Sequence, residues 1–221
     1  MNLGLNLTMP QLIEAGFDMK LTMPSSNKTE TAAFLDAKPK DFVLPDFAVP
    51  AGYQLVANSP AKTEEGEVQT ICLVYTGGSE AETVYKVKMI VRNEPNAYLP
   101  VKNCTQLIVW RQVSGPHGMV LSGFARTVFN FLLRSHNIMI TDEQQTADGK
   151  RFWLDRMGES FAIADRGVYY INLDELDQSM TPVVERIQTF DELMEEYVPK
   201  GWGTDEEHRN RAFIISTQNL S

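Results

Sequence analysis

The sequence lacks any apolar run that approaches the roughly 18 residues needed to cross a bilayer. Its first ten residues, MNLGLNLTMP, contain neither a basic segment nor a long apolar core, so they predict no secretory signal. Cysteine is scarce, because only Cys72 and Cys104 occur and neither has a cysteine or histidine close by in the sequence. We therefore expect two buried free thiols in a protein of a reducing compartment, with no membrane partner.

Motifs of the common catalytic and metal sites are also absent. The sequence has no GxSxG, no HExxH and no phosphate-binding loop with its lysine. Its three histidines, His117, His136 and His208, lie far apart in the sequence, so no metal cofactor is expected. His117 is a candidate general base because it lies in a loop that leads into a helix, and a merely exposed side chain is the alternative.

Basic residues are scarce in one part of the chain. The net charge is −9, and the segment from Asn172 to Asn210, here called the acidic segment, holds eleven acids and three bases. A negative surface repels phosphate backbones, so direct binding of nucleic acid is not expected. Two interpretations remain open for the acidic segment, namely a solvated face and a docking surface for a basic protein partner.

Prolines separate a first region from the rest. Residues 1 to about 60 hold six prolines and predict an extended N-terminal arm with a short helix, whereas residues 61–221 form the main domain. Runs rich in β-branched and aromatic residues predict three strands, Val68–Tyr75, Thr83–Arg92 and Thr105–Val113. The turn Thr76–Ser79 joins the first two as an antiparallel hairpin, so a three-stranded meander is the simplest topology.

A different order of elements follows the meander. Apolar residues at helical spacing predict a buried helix over about Met119–Ser135, then a strand over Ile138–Thr141. A second helix from Asp148 to about Asp165 and a strand over Val168–Leu173 come next. Strands predicted before and between these helices indicate an α/β (α+β) fold with a mixed sheet.

Two loops are candidate sites because ligands bind at the carboxyl ends of strands in such sheets. The loop Val113–Gly123 carries three glycines and leads into a helix whose free N–H groups suit a phosphate, and a plain turn is the alternative. The turn after Thr141 supplies polar groups, of which Asp142 and Thr146 are candidate catalytic residues, although a hydrophilic connection is equally open. Tyr170 is a candidate proton donor if it faces a cleft, and a packing role is its alternative.

The run Ile140-Thr141-Asp142…Gln145-Thr146…Asp148-Gly149-Lys150-Arg151-Phe152-Trp153, followed by Val168-Tyr169-Tyr170, resembles GNAT-like proteins (the GCN5-related N-acetyltransferase fold) encoded by tailed phages. The resemblance spans about a quarter of the chain. It implies a protein of the bacterial cytoplasm that transfers an acetyl group from acetyl-CoA to an amine of a small molecule or a protein. The implied cofactor-binding residues lie around the first helix, at Val113, Gly118, Gly123, Phe124 and Ala125.

The sequence departs from the family at one position. Gly123-Phe124-Ala125 supplies the end of the pyrophosphate motif [RQ]-x-x-G-x-[GA], but Val120 stands where arginine or glutamine belongs. A second interpretation therefore stays open, in which the chain is an inactive GNAT-fold protein. Such a protein would bind a host or phage protein through the acidic segment.

Overall fold

The computed structural model describes residues 19–64, 66–93, 101–112, 115–141, 147–202 and 210–220. Its strands are β1 (Lys40–Asp41), β2 (Tyr53–Ala57), β3 (Ala61–Thr63), β4 (Gly66–Tyr75), β5 (Glu82–Arg92), β6 (Cys104–Arg111), β7 (Asn137–Thr141), β8 (Gly167–Leu176), β9 (Pro182–Ile187) and β10 (Arg211–Ser216). Its helices are α1 (Met19–Thr22), α2 (Pro24–Asp36), α3 (Gly118–Leu121), α4 (Phe124–Leu133), α5 (Ala147–Phe161), α6 (Phe190–Glu192) and α7 (Val198–Gly201), and a π-helical turn at Leu193–Tyr197 joins the last two.

The ten strands form one mixed sheet. They are hydrogen-bonded in the order β1-β2-β4-β5-β6-β7-β10-β8-β9, and β3 pairs with β4. Strand β6 runs parallel to β7, with Cys104 opposite Asn137 and Gln106 opposite Met139. Strand β10 returns between β7 and β8 and is antiparallel to both. The mixed α/β architecture confirms the fold class at this coarse level.

The three strands predicted before the first loop are confirmed as β4, β5 and β6. On one face of β5, Tyr85, Val87, Met89 and Val91 are all buried. Val84 and Ile90 on the opposite face are buried as well, so part of this strand is covered on both sides. Both cysteines are buried free thiols, as predicted, and burial raises the pKa of the Cys104 thiol to about 12.

The helix predicted over Met119–Ser135 is wrong in one respect, because the structure divides it into α3 and α4. Gly123 lies between them with φ +73°, a left-handed conformation that interrupts helical hydrogen bonding and that glycine adopts without strain. The helix predicted from Asp148 and the strands predicted at Ile138 and Val168 are found as α5, β7 and β8. Strand β9 was not predicted.

The described chain divides into two compact units. The N-terminal unit takes in residues 19–90 and 107–132, and the C-terminal unit takes in residues 91–106 and 133–220. In the N-terminal unit, α2 begins at Pro24. Proline lacks an N–H group, but no helical hydrogen bond is lost, because the N–H groups of the first turn have no partner within the helix. Asn27 on this helix is buried and hydrogen-bonds Thr83 on β5, so the helix is fixed to the sheet.

The core of the C-terminal unit surrounds β10. Buried residues of β6, β7, β8 and β10, together with Val101, which precedes β6, pack together there: Cys104, Met139, Tyr169, Ile171, Ala212 and Ile214. The β8–β9 hairpin turns at Asp177, whose carboxylate accepts the N–H groups of Ser179 and Thr181 at 2.7 and 2.9 Å. None of the described helices is long and apolar enough to cross a membrane.

Candidate functional site

Three side chains of the N-terminal unit form a hydrogen-bonded row. The Tyr53 hydroxyl lies 2.7 Å from Nδ1 of His117, and Nε2 of His117 lies 3.0 Å from Oε1 of Glu82. Tyr53 begins β2, Glu82 begins β5, and His117 immediately precedes α3. The imidazole is only 3% exposed, whereas the Glu82 side chain is 23% exposed and Tyr53 is partly exposed. A buried imidazole thus links a carboxylate to a phenol.

The chemistry of the partners determines which ring nitrogen of His117 carries the proton in a neutral imidazole. A carboxylate can only accept hydrogen bonds, so Glu82 places a proton on Nε2 of His117. In that tautomer Nδ1 carries a lone pair, to which the Tyr53 hydroxyl can donate. The Tyr53 hydroxyl proton is then directed at Nδ1 of His117, which can act as a base, and Glu82 orients the imidazole ring.

Aromatic packing and the adjoining turns hold the row in place. The Tyr53 and Tyr75 ring centroids lie 5.1 Å apart, and the His117 ring lies 4.8 Å from that of Tyr75. Gly52 lies just before β2 with φ +81°, and its carbonyl accepts the Thr76 N–H at 2.7 Å. A side chain at Gly77 would meet the Tyr75 ring at 2.8 Å, so only glycine permits this approach. Two residues of the row, Tyr53 and Glu82, therefore lie at strand ends, and His117 lies in the loop just before α3.

The electrostatic surroundings keep Tyr53 protonated. Partial burial raises the pKa of Tyr53, and the nearby Tyr75 and Glu82 raise it further. A phenol with a raised pKa does not ionise unaided near neutral pH, so it reacts as a nucleophile only if a base removes its proton. His117 is the side chain positioned to do this.

The predicted cofactor loop is described from Gly115 onward. Gly118 begins α3 and Gly123 precedes α4, and a side chain at either glycine would meet nothing within 4 Å. The backbone at both positions is therefore open to a ligand. Phe124 is buried and Ala125 is half-buried, so the exposed face here is backbone and not the Phe124 side chain.

Tyr170, the predicted proton donor, lies in the C-terminal unit on β8 and is 4% exposed. Its ring packs against Tyr197 at 5.2 Å and against Phe213 at 5.8 Å. Burial raises the pKa of its hydroxyl, while Arg211 and Lys200 lower it. The hydroxyl has no hydrogen-bond partner in the described part of the chain, whereas that of Tyr169 donates to the Gln218 carbonyl at 3.0 Å.

This contrast predicts that the hydroxyl groups of two adjacent tyrosines contribute differently to the free energy of unfolding. Tyr169→Phe should lower the free energy of unfolding by about 1–1.5 kcal/mol, because it removes a hydrogen bond inside the fold. Tyr170→Phe should change it by less than about 0.5 kcal/mol, because that hydroxyl has no hydrogen-bond partner among the described residues. Urea unfolding of both variants measures the difference. Equal losses would contradict the different roles given to the two hydroxyl groups. If the Tyr170→Phe protein is stable, any change in its activity can be attributed to the missing hydroxyl.

Three predicted site residues, Val113, Asp142 and Thr146, lie outside the described residues. Their roles stay predictions. In the acidic segment the described acids are mostly exposed: Asp174, Glu175, Asp177, Asp191, Glu195 and Glu196. Its docking role also stays a prediction. Within the described ranges, no group of three or more histidine, cysteine or acidic side chains is placed to hold a metal ion.

Sequence reasoning identified His117 but missed both of its partners. Tyr53 and Glu82 lie 64 and 35 residues from it in the sequence. The predicted hairpin at Thr76–Ser79 brought Glu82 close to Tyr75, whose ring contacts His117, but it related neither Tyr53 nor His117 to Glu82. No motif spacing connects a tyrosine and a glutamate so far from the histidine.

Comparison with known proteins gives no family for this chain. A scan of protein-family models, a search of curated proteins and a search of solved structures found no match.

Proposed function

We propose that the protein is an acyl-CoA-dependent N-acyltransferase with a GNAT-like arrangement of its sheet. The observation that carries the proposal is the strand order. Strand β2 is antiparallel to β4, and the order continues through β5 and β6 to β7, which runs parallel to β6. The last strand, β10, returns between β7 and β8. This order supports the fold that the sequence resemblance implies.

The start of α4 fits an acyl-CoA diphosphate on two counts. The helix has ten residues, so its N-terminus presents free N–H groups and the positive end of its dipole. The residue before it, Gly123, has a left-handed backbone with open space where a side chain would be, so a phosphate group could approach the main chain. The lack of an arginine or glutamine at Val120 leaves these backbone groups as the principal ligands.

Acyl-CoA would supply an acyl group activated as a thioester. The chain then has to hold an amine close to that group, exclude water and stabilise the developing charge. Such a reaction needs few catalytic side chains, since positioning and backbone hydrogen bonds supply much of the rate. This requirement agrees with a sequence that carries no established catalytic motif.

Ligand stabilisation tests the proposal directly. Acetyl-CoA at about 100 times its dissociation constant should stabilise the protein by about 2.7 kcal/mol, which a thermal-shift titration detects. Acetyl-pantetheine, which lacks the nucleotide and the diphosphate, should stabilise it much less. Release of free thiol in the presence of a panel of amines then measures transfer. No stabilisation by either acetyl-CoA or CoA would contradict the proposal.

A charge substitution beside Gly123 makes the test specific to this helix. Ser122 is exposed, and Ser122→Glu places a carboxylate at the positive end of α4, which should leave the free energy of unfolding unchanged or raise it by about 0.5 kcal/mol. The same carboxylate should repel the diphosphate and weaken acetyl-CoA binding by about tenfold or more. Isothermal titration calorimetry measures the affinity.

Ser122→Gln is the matched control, because it has a similar side-chain volume without the charge. It should bind acetyl-CoA like the unaltered protein. Equal affinities of the glutamate and glutamine variants would place the diphosphate elsewhere.

The inactive, partner-binding alternative predicts no acetyl-CoA binding in any variant and a loss of partner capture when Glu195 and Glu196 are reversed in charge.

A further inference from the structure

We propose that Tyr53, His117 and Glu82 form a nucleophilic triad that accepts acyl groups from activated esters and thioesters on the Tyr53 oxygen. The triad lies wholly within the N-terminal unit. It stands independently of the proposed use of acyl-CoA, because it needs only an activated acyl carbon. Its roles are a tyrosine nucleophile, a histidine base and a glutamate that orients the base.

The geometry supplies each role. The 2.7 Å contact between the Tyr53 hydroxyl and Nδ1 is within the range for transfer of a proton from a nucleophile to its base. The 3.0 Å contact between Nε2 and Glu82 fixes the imidazole tautomer and stabilises the imidazolium that forms during attack. The same logic of nucleophile, base and orienting carboxylate applies to triads on unrelated folds.

Burial is distributed as such a triad requires. The imidazole is almost fully buried, so water does not compete for Nδ1, and the Tyr75 ring covers one side of it. Tyr53 remains partly exposed, so an acyl donor can reach it from solvent. The raised pKa of Tyr53 keeps the proton on the phenol until His117 takes it.

The reaction balances without an oxidant or reductant. The Tyr53 oxygen bonds to the acyl carbon, and the bond from that carbon to its leaving oxygen or sulfur breaks. The phenol proton passes to Nδ1 of His117 and then to the leaving group. Water next attacks the aryl ester, a proton returns to the phenol, and the free acid is released.

Labelling of the unaltered protein is the first test. The protein is mixed with p-nitrophenyl acetate, and release of p-nitrophenolate is followed while peptide mass spectrometry locates the acetyl group. We expect a burst of product that matches one acetyl group per chain on Tyr53. Tyr75 is the internal control, because its ring adjoins the site and it should acquire at least tenfold less label, given that proton removal by a positioned base accelerates reactions about 10²–10⁴-fold. Equal labelling of the two tyrosines would overturn the proposal.

Variants then separate chemistry from structure. Tyr53→Phe should abolish the burst, and His117→Gln should slow labelling of Tyr53 about 100-fold or more, because glutamine can keep hydrogen bonds but cannot take the proton. Glu82→Gln should give an intermediate loss, since an amide does not stabilise the imidazolium. Met119→Ala alters an exposed neighbour of His117 and should label at the unaltered rate.

Unfolding of each variant is measured beside its labelling. A purely structural network predicts that His117→Gln lowers the unfolding temperature while Tyr53 labels at the same slow rate in every folded protein, and that outcome would overturn the proposal. If His117→Gln does not fold, Glu82→Gln decides the matter by the same criterion. The result with acetyl-CoA does not bear on this test, because the aryl ester carries no nucleotide.

Discussion

Replacing Phe124 by alanine is expected to lower the free energy of unfolding by about 3–5 kcal/mol. The ring is 1% exposed and forms edge-to-face contacts with two others in the N-terminal unit. Its centroid lies 4.6 Å from that of Phe47 and 4.8 Å from that of Tyr85. Alanine would remove the buried ring, leave a cavity that these rigid neighbours cannot fill, and delete both aromatic contacts.

The position of Phe124 makes the loss large. Phe47 belongs to the chain between β1 and β2, Tyr85 belongs to β5, and Phe124 is the first residue of α4. One ring therefore joins three segments that are distant in sequence. Its loss weakens the contact of each segment with the others. The free energy of unfolding should therefore fall by more than the burial of a single side chain contributes.

Urea unfolding followed by fluorescence measures the effect, and Phe131→Ala is the matched control. Phe131 lies on the same helix, is only half-buried, and among the described residues forms one edge-to-face contact, with Phe42 at 5.5 Å. Its removal should cost clearly less than that of Phe124, and Phe124→Leu should also cost less because it retains most of the volume. If the two alanine variants lose equal stability, Phe124 does not have the central packing role described here.

Phe124 also shows what the sequence could predict in the candidate cofactor loop. The motif Gly123-Phe124-Ala125 was assigned to cofactor binding by resemblance, and the structure gives Phe124 a buried side chain. Both statements hold together only if the backbone of this motif, and not the Phe124 ring, meets a ligand. A sequence motif names residues without saying which of their atoms are used.

Local patterns account for most of the fold that was predicted. Runs of β-branched and aromatic residues and the glycine turn after β4 identified a hairpin, because both signals depend on neighbouring residues. The break between α3 and α4 was missed because Leu121 and Phe124 keep helical spacing across Gly123. Ser122 has an extended backbone and Gly123 a left-handed one, and together they interrupt the helix. A periodic pattern carries no information about either conformation.

The candidate site could be predicted only in part, because it depends on pairings between distant strands. Tyr53 lies opposite Tyr75 in the register of β2 with β4, and that register is not visible in the sequence of either strand. Strand β9 was missed for a related reason. Its residues Val183, Val184 and Glu185 are all half-buried, so the strand does not have one buried and one exposed face. Its sequence therefore lacks the alternation of apolar and polar residues that predicts a strand.

Replacing Asn27 by alanine is expected to lower the free energy of unfolding by about 3 kcal/mol, since it leaves several buried polar groups without partners. Asn27 is 2% exposed. Its Nδ2 donates to the carbonyls of Leu21 and Thr83, both at 2.9 Å, and its Oδ1 accepts the Thr83 N–H at 2.8 Å and the Thr31 hydroxyl at 3.0 Å. Alanine satisfies none of these groups, and the Leu21 and Thr83 carbonyls would lose this donor.

Thr31 allows the network to be divided into its parts. Its hydroxyl also contacts the Thr83 N–H and the Thr83 hydroxyl, both at 2.8 Å, so Thr31→Val should cost about 1–2 kcal/mol. The double variant should lose less than the sum of the two single losses, because both side chains serve Thr83. Thr29→Ala on the exposed face of α2 should change stability by less than about 0.5 kcal/mol.

Unfolding in urea at two pH values completes the test of Asn27. None of Asn27, Thr31 and Thr83 carries a titratable group, so the loss should be the same on either side of neutral pH. A cost below about 1 kcal/mol, or strict additivity with Thr31→Val, would show that α2 is not fixed to β5 through this network. Because Thr83 immediately follows Glu82 on β5, a verified Asn27 network would also explain how the strand end that carries Glu82 is held in position.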